Sequence, residues 1–151
     1  MRVGGKQTVN GPAFSVYRDS VATIPTDVLT LMAWTTEEYD TAGCMTSTRF
    51  TPNVAGYYSL VGSVRIDGDI GTGERMISIK KNGNEYRRGM NAKGTASVGT
   101  EWFQMEVSCQ VYANGTTDYF ELFVQHGAGT NRNTTAGQPF TAFQGCMIRG
   151  A

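Results

Sequence analysis

The sequence is short of charge, of histidine and of paired cysteines, and each shortage excludes something. Only 17% of its 151 residues are Asp, Glu, Lys or Arg, and 13 basic residues balance 13 acidic ones. An average soluble domain carries roughly 25% charge, and a protein that grips a phosphate backbone needs a basic footprint. Nucleic acid is therefore not expected as a partner. No apolar run approaches the ~18 residues of a membrane-spanning helix, so membrane insertion is not expected either. The three cysteines, Cys44, Cys109 and Cys146, are widely spaced and include no CxxC pair. Neither a disulfide framework nor a zinc site is written in that pattern. His126 is the only histidine, and no nucleophile signature such as G-x-S-x-G accompanies it. It reads as a polar residue at a loop edge, and no enzymatic activity is expected.

Helical periodicity is missing as well, and period two takes its place. In "FTPNVAGYYSLVGSVRI" (50–66), Tyr58, Leu60, Gly62, Val64 and Ile66 fall on one side, while Tyr57, Ser59, Val61, Ser63 and Arg65 fall on the other. That alternation predicts a strand with one buried face. The other face mixes aromatic, apolar and polar groups, as a contact surface does. "FQMEVSCQV" (103–111) alternates without a fault, with Phe103, Met105, Val107, Cys109 and Val111 on the apolar side. Strands are also predicted in "PAFSVYRD" (12–19), "VLTLMAW" (28–34), "ERMISIKKNGNEY" (74–86), "YFELFVQHG" (119–127) and "PFTAFQGCMIRG" (139–150). Asn82-Gly83 and Asn114-Gly115 are hairpin signals, because both residue types tolerate positive φ. Nineteen glycines and many threonines suit turns and pleated surfaces. These features predict one all-β domain of eight to ten short strands, a sandwich or jelly roll. It spans 12–151, preceded by an arm, "MRVGGKQTVNG" (1–11), that contains no apolar core of a secretory leader.

The order of several short segments is specific. "AFSVYRDS", "EYDTAG", "RFTPNVAGYYSLVGSV", "ISIKKNGNEY", "NGTTDYFELFV" and a terminal "TAFQGCMI" occur in register along the chain. Together they resemble the globular C1q domain of the C1q and tumour-necrosis-factor-like jelly-roll superfamily, over residues 12 to 150. The resemblance implies a ten-stranded jelly roll that assembles as a homotrimer, with apolar and aromatic side chains meeting around the threefold axis. Tyr57, Tyr58, Val61, Phe143 and Met147 are the candidates for that contact. Members of the superfamily usually carry a collagen-like or coiled-coil stalk, and neither repeat is present here.

Candidate ligand-binding positions sit in the loops: Asp67, Asp69 and Glu74 in "DGDIGTGE", and Asn131 and Arg132 in "GAGTNRNTTAGQ". The first loop lacks EF-hand spacing. A solvated acidic loop is the expectation there, with calcium at Asp67 and Asp69 as the alternative, and no other cofactor is indicated. "YRRGMNAK" (Arg87, Arg88, Lys93) reads as a solvated hairpin. Trp34, Tyr39, Trp102 and Phe123 either line a saccharide-binding face or serve as core and interface anchors. Asn114 and Asn133 head glycosylation sequons that matter only in a secretory compartment. Two functional readings follow. One is a non-enzymatic trimeric component of a virion surface, a capsid decoration or a tail-fibre tip that meets other virion proteins or a host surface receptor. The other is an extracellular C1q-like module that recognises carbohydrate or protein ligands.

Overall fold

The computed structural model describes residues 11–68, 73–93 and 102–151. They form an all-β sandwich. One sheet holds five strands in the order β4 (Thr36–Asp40), β1 (Ala13–Tyr17), β11 (Ala142–Gly150), β5 (Gly56–Asp67) and β8 (Trp102–Ala113). The other holds β3 (Thr30–Leu31), β9 (Phe120–His126), β6 (Glu74–Lys81) and β7 (Asn84–Lys93). A two-residue ladder joins β2 (Thr23–Ile24) to β10 (Arg132–Asn133). Every recorded pairing is antiparallel. Eight strands have five residues or more, and β2, β3 and β10 have two each.

The period-two segments build this sandwich. From Gly56 to Ile66 the even positions of β5 are buried without a break, and from Met105 to Ala113 the odd positions of β8 are buried. The two strands pair in register from Gly56–Ala113 to Asp67–Trp102, so their apolar rows lie side by side and face the second sheet. Ile77, Ile79, Leu122 and Val124 come from that sheet to meet them. At the centre Phe14 packs on Phe50 at 4.3 Å and edge-on to Phe143 at 5.0 Å, and Phe50 meets Tyr58 at 5.7 Å. Fully burying one such side chain stabilises the fold by ~1.5–3 kcal/mol.

Several expectations are corrected. "VLTLMAW" is a strand only at Thr30–Leu31, and Val28 is exposed. β11 begins at Ala142 rather than Pro139, because residues 138–141 form a turn. Asn82 and Gly83 do take positive φ, 53° and 79°, and close the β6–β7 hairpin. Asn114-Gly115 closes no hairpin, because β8 and β9 belong to different sheets. There the Asn114 side-chain oxygen accepts the backbone N–H groups of Thr116, Thr117 and Asp118, which turns the chain from one sheet to the other. Asp118 then ties this crossing to the hairpin. Its Oδ1 accepts from Asn82 Nδ2 at 2.7 Å, and its Oδ2 lies 2.9 Å from Lys81 Nζ.

Interaction surfaces at the two ends of the sandwich

Pro12 and the C-terminal Ala151 lie at one end of the molecule. Met147 donates its backbone N–H to Pro12 O, and Ala151 donates to Ala55 O. Gly56, Ala113 and Gly150 lie side by side there. β5 and β8 run from this end to Asp67 and Trp102. Twelve residues of β5 span about 40 Å at the rise of a strand.

The outer face of the five-stranded sheet exposes large apolar side chains among its polar ones. Among the described residues eleven large apolar side chains are exposed, and Tyr39, Tyr57, Val61, Trp102, Tyr112 and Ile148 of them belong to this face. Near the termini Tyr57 and Tyr112 meet edge to face at 5.5 Å. With Gln110, Ile148 and Arg149 they line an open cleft of ≈ 500 Å³. Tyr57 and Val61 thus point away from the protomer's own core. Tyr58, Phe143 and Met147 do not, which corrects their assignment to a subunit contact. Tyr58 and Phe143 are fully buried inside the sandwich and Met147 nearly so. The Tyr58 hydroxyl donates to Val54 O at 2.6 Å, and burial pushes its pKa up to about 12. Period two alone placed Tyr57 and Tyr58 on opposite faces, but it did not say which face was inside. Tyr112 and Ile148 were missed as surface anchors. Pairing the outer rows of two alternating strands brings Tyr112 beside Tyr57, whereas Ile148 sits where the β11–β5 register shifts.

The far end gathers most of the loop positions proposed as ligand contacts. Asp67 ends β5 and accepts from the Thr135 hydroxyl. Glu74 starts β6, and its carbonyl accepts from Gly127 N–H at 2.8 Å. Asn131 accepts from Thr26 N–H at 3.4 Å, and Arg132 packs against Gly68. Asp69 lies outside the described residues. Asp67 is already engaged by Thr135 and by Arg65, whose Nε is 3.6 Å away. No group of three or more metal-ligating side chains occurs among the described residues. The buried His126 is also here, at the end of β9 rather than at a loop edge. Its Nε2 is 2.9 Å from Ile24 O, and Ala128 N–H donates to Nδ1 at 3.3 Å. With Nδ1 accepting from Ala128 N–H, Nε2 is the nitrogen that donates to the Ile24 carbonyl. Both nitrogens are consumed in fastening β2 and the 127–131 loop to β9.

No family model and no curated protein matches the sequence. Solved structures do. The globular domain of zebrafish complement 1qA superposes with a TM-score of 0.64 at 16% identity, over 93% of this chain and 99% of that one. Eiger TNF from S. frugiperda gives 0.65 at 10% identity, over 94% and 96%, and murine APRIL gives 0.65 at 9%, over 92% and 100%. The fold is the C1q/TNF jelly roll. Agreement across nearly all of each chain at such low identity means that the strand order is shared and the surfaces are this chain's own. In this C1q/TNF-like sandwich the Tyr57–Tyr112–Ile148 patch sits beside Pro12 and Ala151, and the polar loops sit at the other end. The other aromatic candidates divide accordingly. Trp34 is buried against Phe143, and Phe123 is covered by Lys80 at 4.1 Å. Tyr39 and Trp102 remain on the outer face.

Proposed function

We propose that the chain is a non-enzymatic, homotrimeric interaction module whose subunits meet through the outer face of the five-stranded sheet. The exposed Tyr57–Val61–Tyr112–Ile148 patch carries this reading. A monomer rarely leaves such a patch bare. A cyclic trimer needs two different complementary surfaces on each subunit, and the exposed edge strand β7, with Tyr86, Arg87 and Met90, is the second. Such an edge is otherwise open to aggregation. Light scattering behind a sizing column tests the assembly. A native mass near three times 16.4 kDa is expected, and a protomer mass would overturn it.

Within that reading, the role we favour is a virion surface component, either a capsid decoration or a fibre tip bearing on other virion proteins or a host receptor. All three cysteines are free, and Cys146 is exposed on the outer face. Unpaired exposed thiols suit a chain made in a reducing cytoplasm better than a secreted one. Asn114 also spends its amide on its own turn, donating to Thr117 and accepting three N–H groups, which suits an unglycosylated residue. The extracellular recognition module is the second reading, favoured by the loops gathered opposite the termini. Immunogold labelling of purified particles separates the two, since decorated virions are expected and unlabelled ones would leave the extracellular role.

A further inference from the structure

The two margins of the sandwich differ in charge and in cover. On the β8 side the chain closes its own edge. The Tyr86 hydroxyl donates to Gln110 O at 3.2 Å, Lys81 Nζ donates to Tyr112 O at 2.8 Å, and Gly89 lies against Glu106 O. This margin ends in β7, where Arg87 is exposed and its side chain makes no ion pair or hydrogen bond among the described residues. Its neighbour Arg88 is already paired with Glu85 at 2.8 Å. On the β4 side no described strand pairs with the outer edge, and Glu37, Glu38 and Tyr39 are exposed. Arg18 does not neutralise them, because its guanidinium is turned to the carbonyls of Ser20, Val21 and Ala33. Glu37 stands opposite the core residue Val16 and so belongs to the inner side of β4. Glu38 belongs to the outer face. Its Oε2 accepts from the Ser15 hydroxyl at 2.9 Å, and its Oε1 has no partner among the described residues. Ser15 alternates with the core residues Phe14 and Val16, so it points outward.

The strand registers place Glu38 and Arg87 at one height. Ser15, Gln144, Val61 and Ser108 form one row across the five-stranded sheet. Glu38 joins that row through Ser15. Arg87 meets it from the opposite margin, because it lies between Tyr86, which touches Gln110, and Gly89, which touches Glu106.

Resting on the homotrimer reading, we infer that Glu38 of one subunit and Arg87 of the next form an ion pair that sets which surfaces meet. A ring closed by rotation alone has no translation along its axis. With the axis along β5, groups that meet therefore stand at the same height, as these two do. The half of the outer face beside β8 lies next to the subunit's own β7, which leaves the β4 half for the β7 of the neighbour. Charge gives the contact a direction. Two acidic β4 margins repel each other, as do two basic β7 margins, so head-to-tail docking is the arrangement that brings opposite signs together. Each Arg87 then finds one Glu38, and the third contact closes the ring with no bare strand edge left to seed aggregation.

Sedimentation of the full chain over a dilution series tests the pair. Glu38→Arg and Arg87→Glu are each expected to raise the concentration at which the trimer dissociates by about tenfold or more, because each turns three attractions in the ring into three repulsions. The double variant is expected to return to within about threefold of the parent. Glu37→Arg, on the inner side of β4, is expected to leave dissociation unchanged. Glu38→Gln keeps an acceptor for Ser15 and removes the charge, so it is expected to weaken the trimer by about threefold or more even if Glu38→Arg fails to fold. A trimer indifferent to Glu38→Gln and Arg87→Glu would overturn the pair and leave the trimer standing. A double variant no tighter than the single ones would do the same, as would equal weakening by Glu37→Arg. A parent that sediments as the protomer at every concentration would instead overturn the homotrimer reading, and the pair with it.

Discussion

Single residues at this molecule's surface and core separate sharply, and neighbours in sequence show it best. Tyr57 and Tyr58 differ by one position and by everything else: one is exposed and edge-on to Tyr112, the other fully buried with its hydroxyl on Val54 O. Tyr57→Arg is expected to lower the native mass to that of the protomer with the melting temperature of the separated subunit intact. Tyr58→Ala is expected to destabilise the protomer itself by about 3–5 kcal/mol, the usual cost of emptying a buried aromatic site. Denaturant unfolding beside light scattering distinguishes the two effects. A Tyr57 variant that kept the parent's mass would move the contact elsewhere. Asp118 is the residue through which acid acts. Partial burial pushes its carboxyl up, but the hydrogen bond from Asn82 and the bond and charge of Lys81 outweigh that and hold it below its ordinary 3.8. A depressed carboxylate stabilises the fold above its unfolded value, and that contribution is lost as pH falls through the folded one. Between about pH 5 and pH 2 the parent should lose more melting temperature than Asp118→Asn. Parallel losses would show that the link between the two turns carries no stability. The two buried cysteines are quieter, since burial lifts the Cys109 thiol to about 11, against the pull of Arg87, and lifts that of Cys44 as well.

At the scale of elements, the strands that were plain in the sequence are those with one wet face and one dry. β5 and β8 alternate because they lie inside a sheet with core on one side only. β4, "TEEYD", gave no such signal because it is an edge strand with exposed acidic residues, held by its ladder to β1 and by Ser15 donating to Glu38 at 2.9 Å. β9 buries Glu121 beside Phe120 and Leu122, and Arg49 makes that possible by donating to it at 2.8 Å and 3.0 Å from a distant loop. No local pattern reports a partner 72 positions away. The second Asn-Gly misled for a similar reason, because a turn signal shows that the chain reverses and not which sheet it enters. The loop positions at the far end were individually legible, whereas the stacking of Arg65 over Trp102 at 4.0 Å depended on the β5–β8 register. One element depends on a missing side chain. A Cβ on Gly89 would lie 2.1 Å from Glu106 O, so β7 closes against β8 only because that carbon is absent. Gly89→Ala is expected to push β7 outward, to lower the melting temperature and to weaken the proposed subunit contact through Tyr86, Arg87 and Met90. A variant with unchanged thermal stability and mass would show that β7 takes no part.

The whole molecule has a direction. Pro12, Ala151 and the apolar patch occupy one half, and Asp67, Glu74, the 127–131 loop and Trp102 occupy the other. Three such bodies around an axis, as proposed above, would present three identical tips.

Because Ala151 emerges beside Ala55 at the strand ends, the chain is also a ready scaffold for display. A cargo domain fused after Ala151 would hang from the base, a full strand length from the tip, and would leave the tip unobstructed.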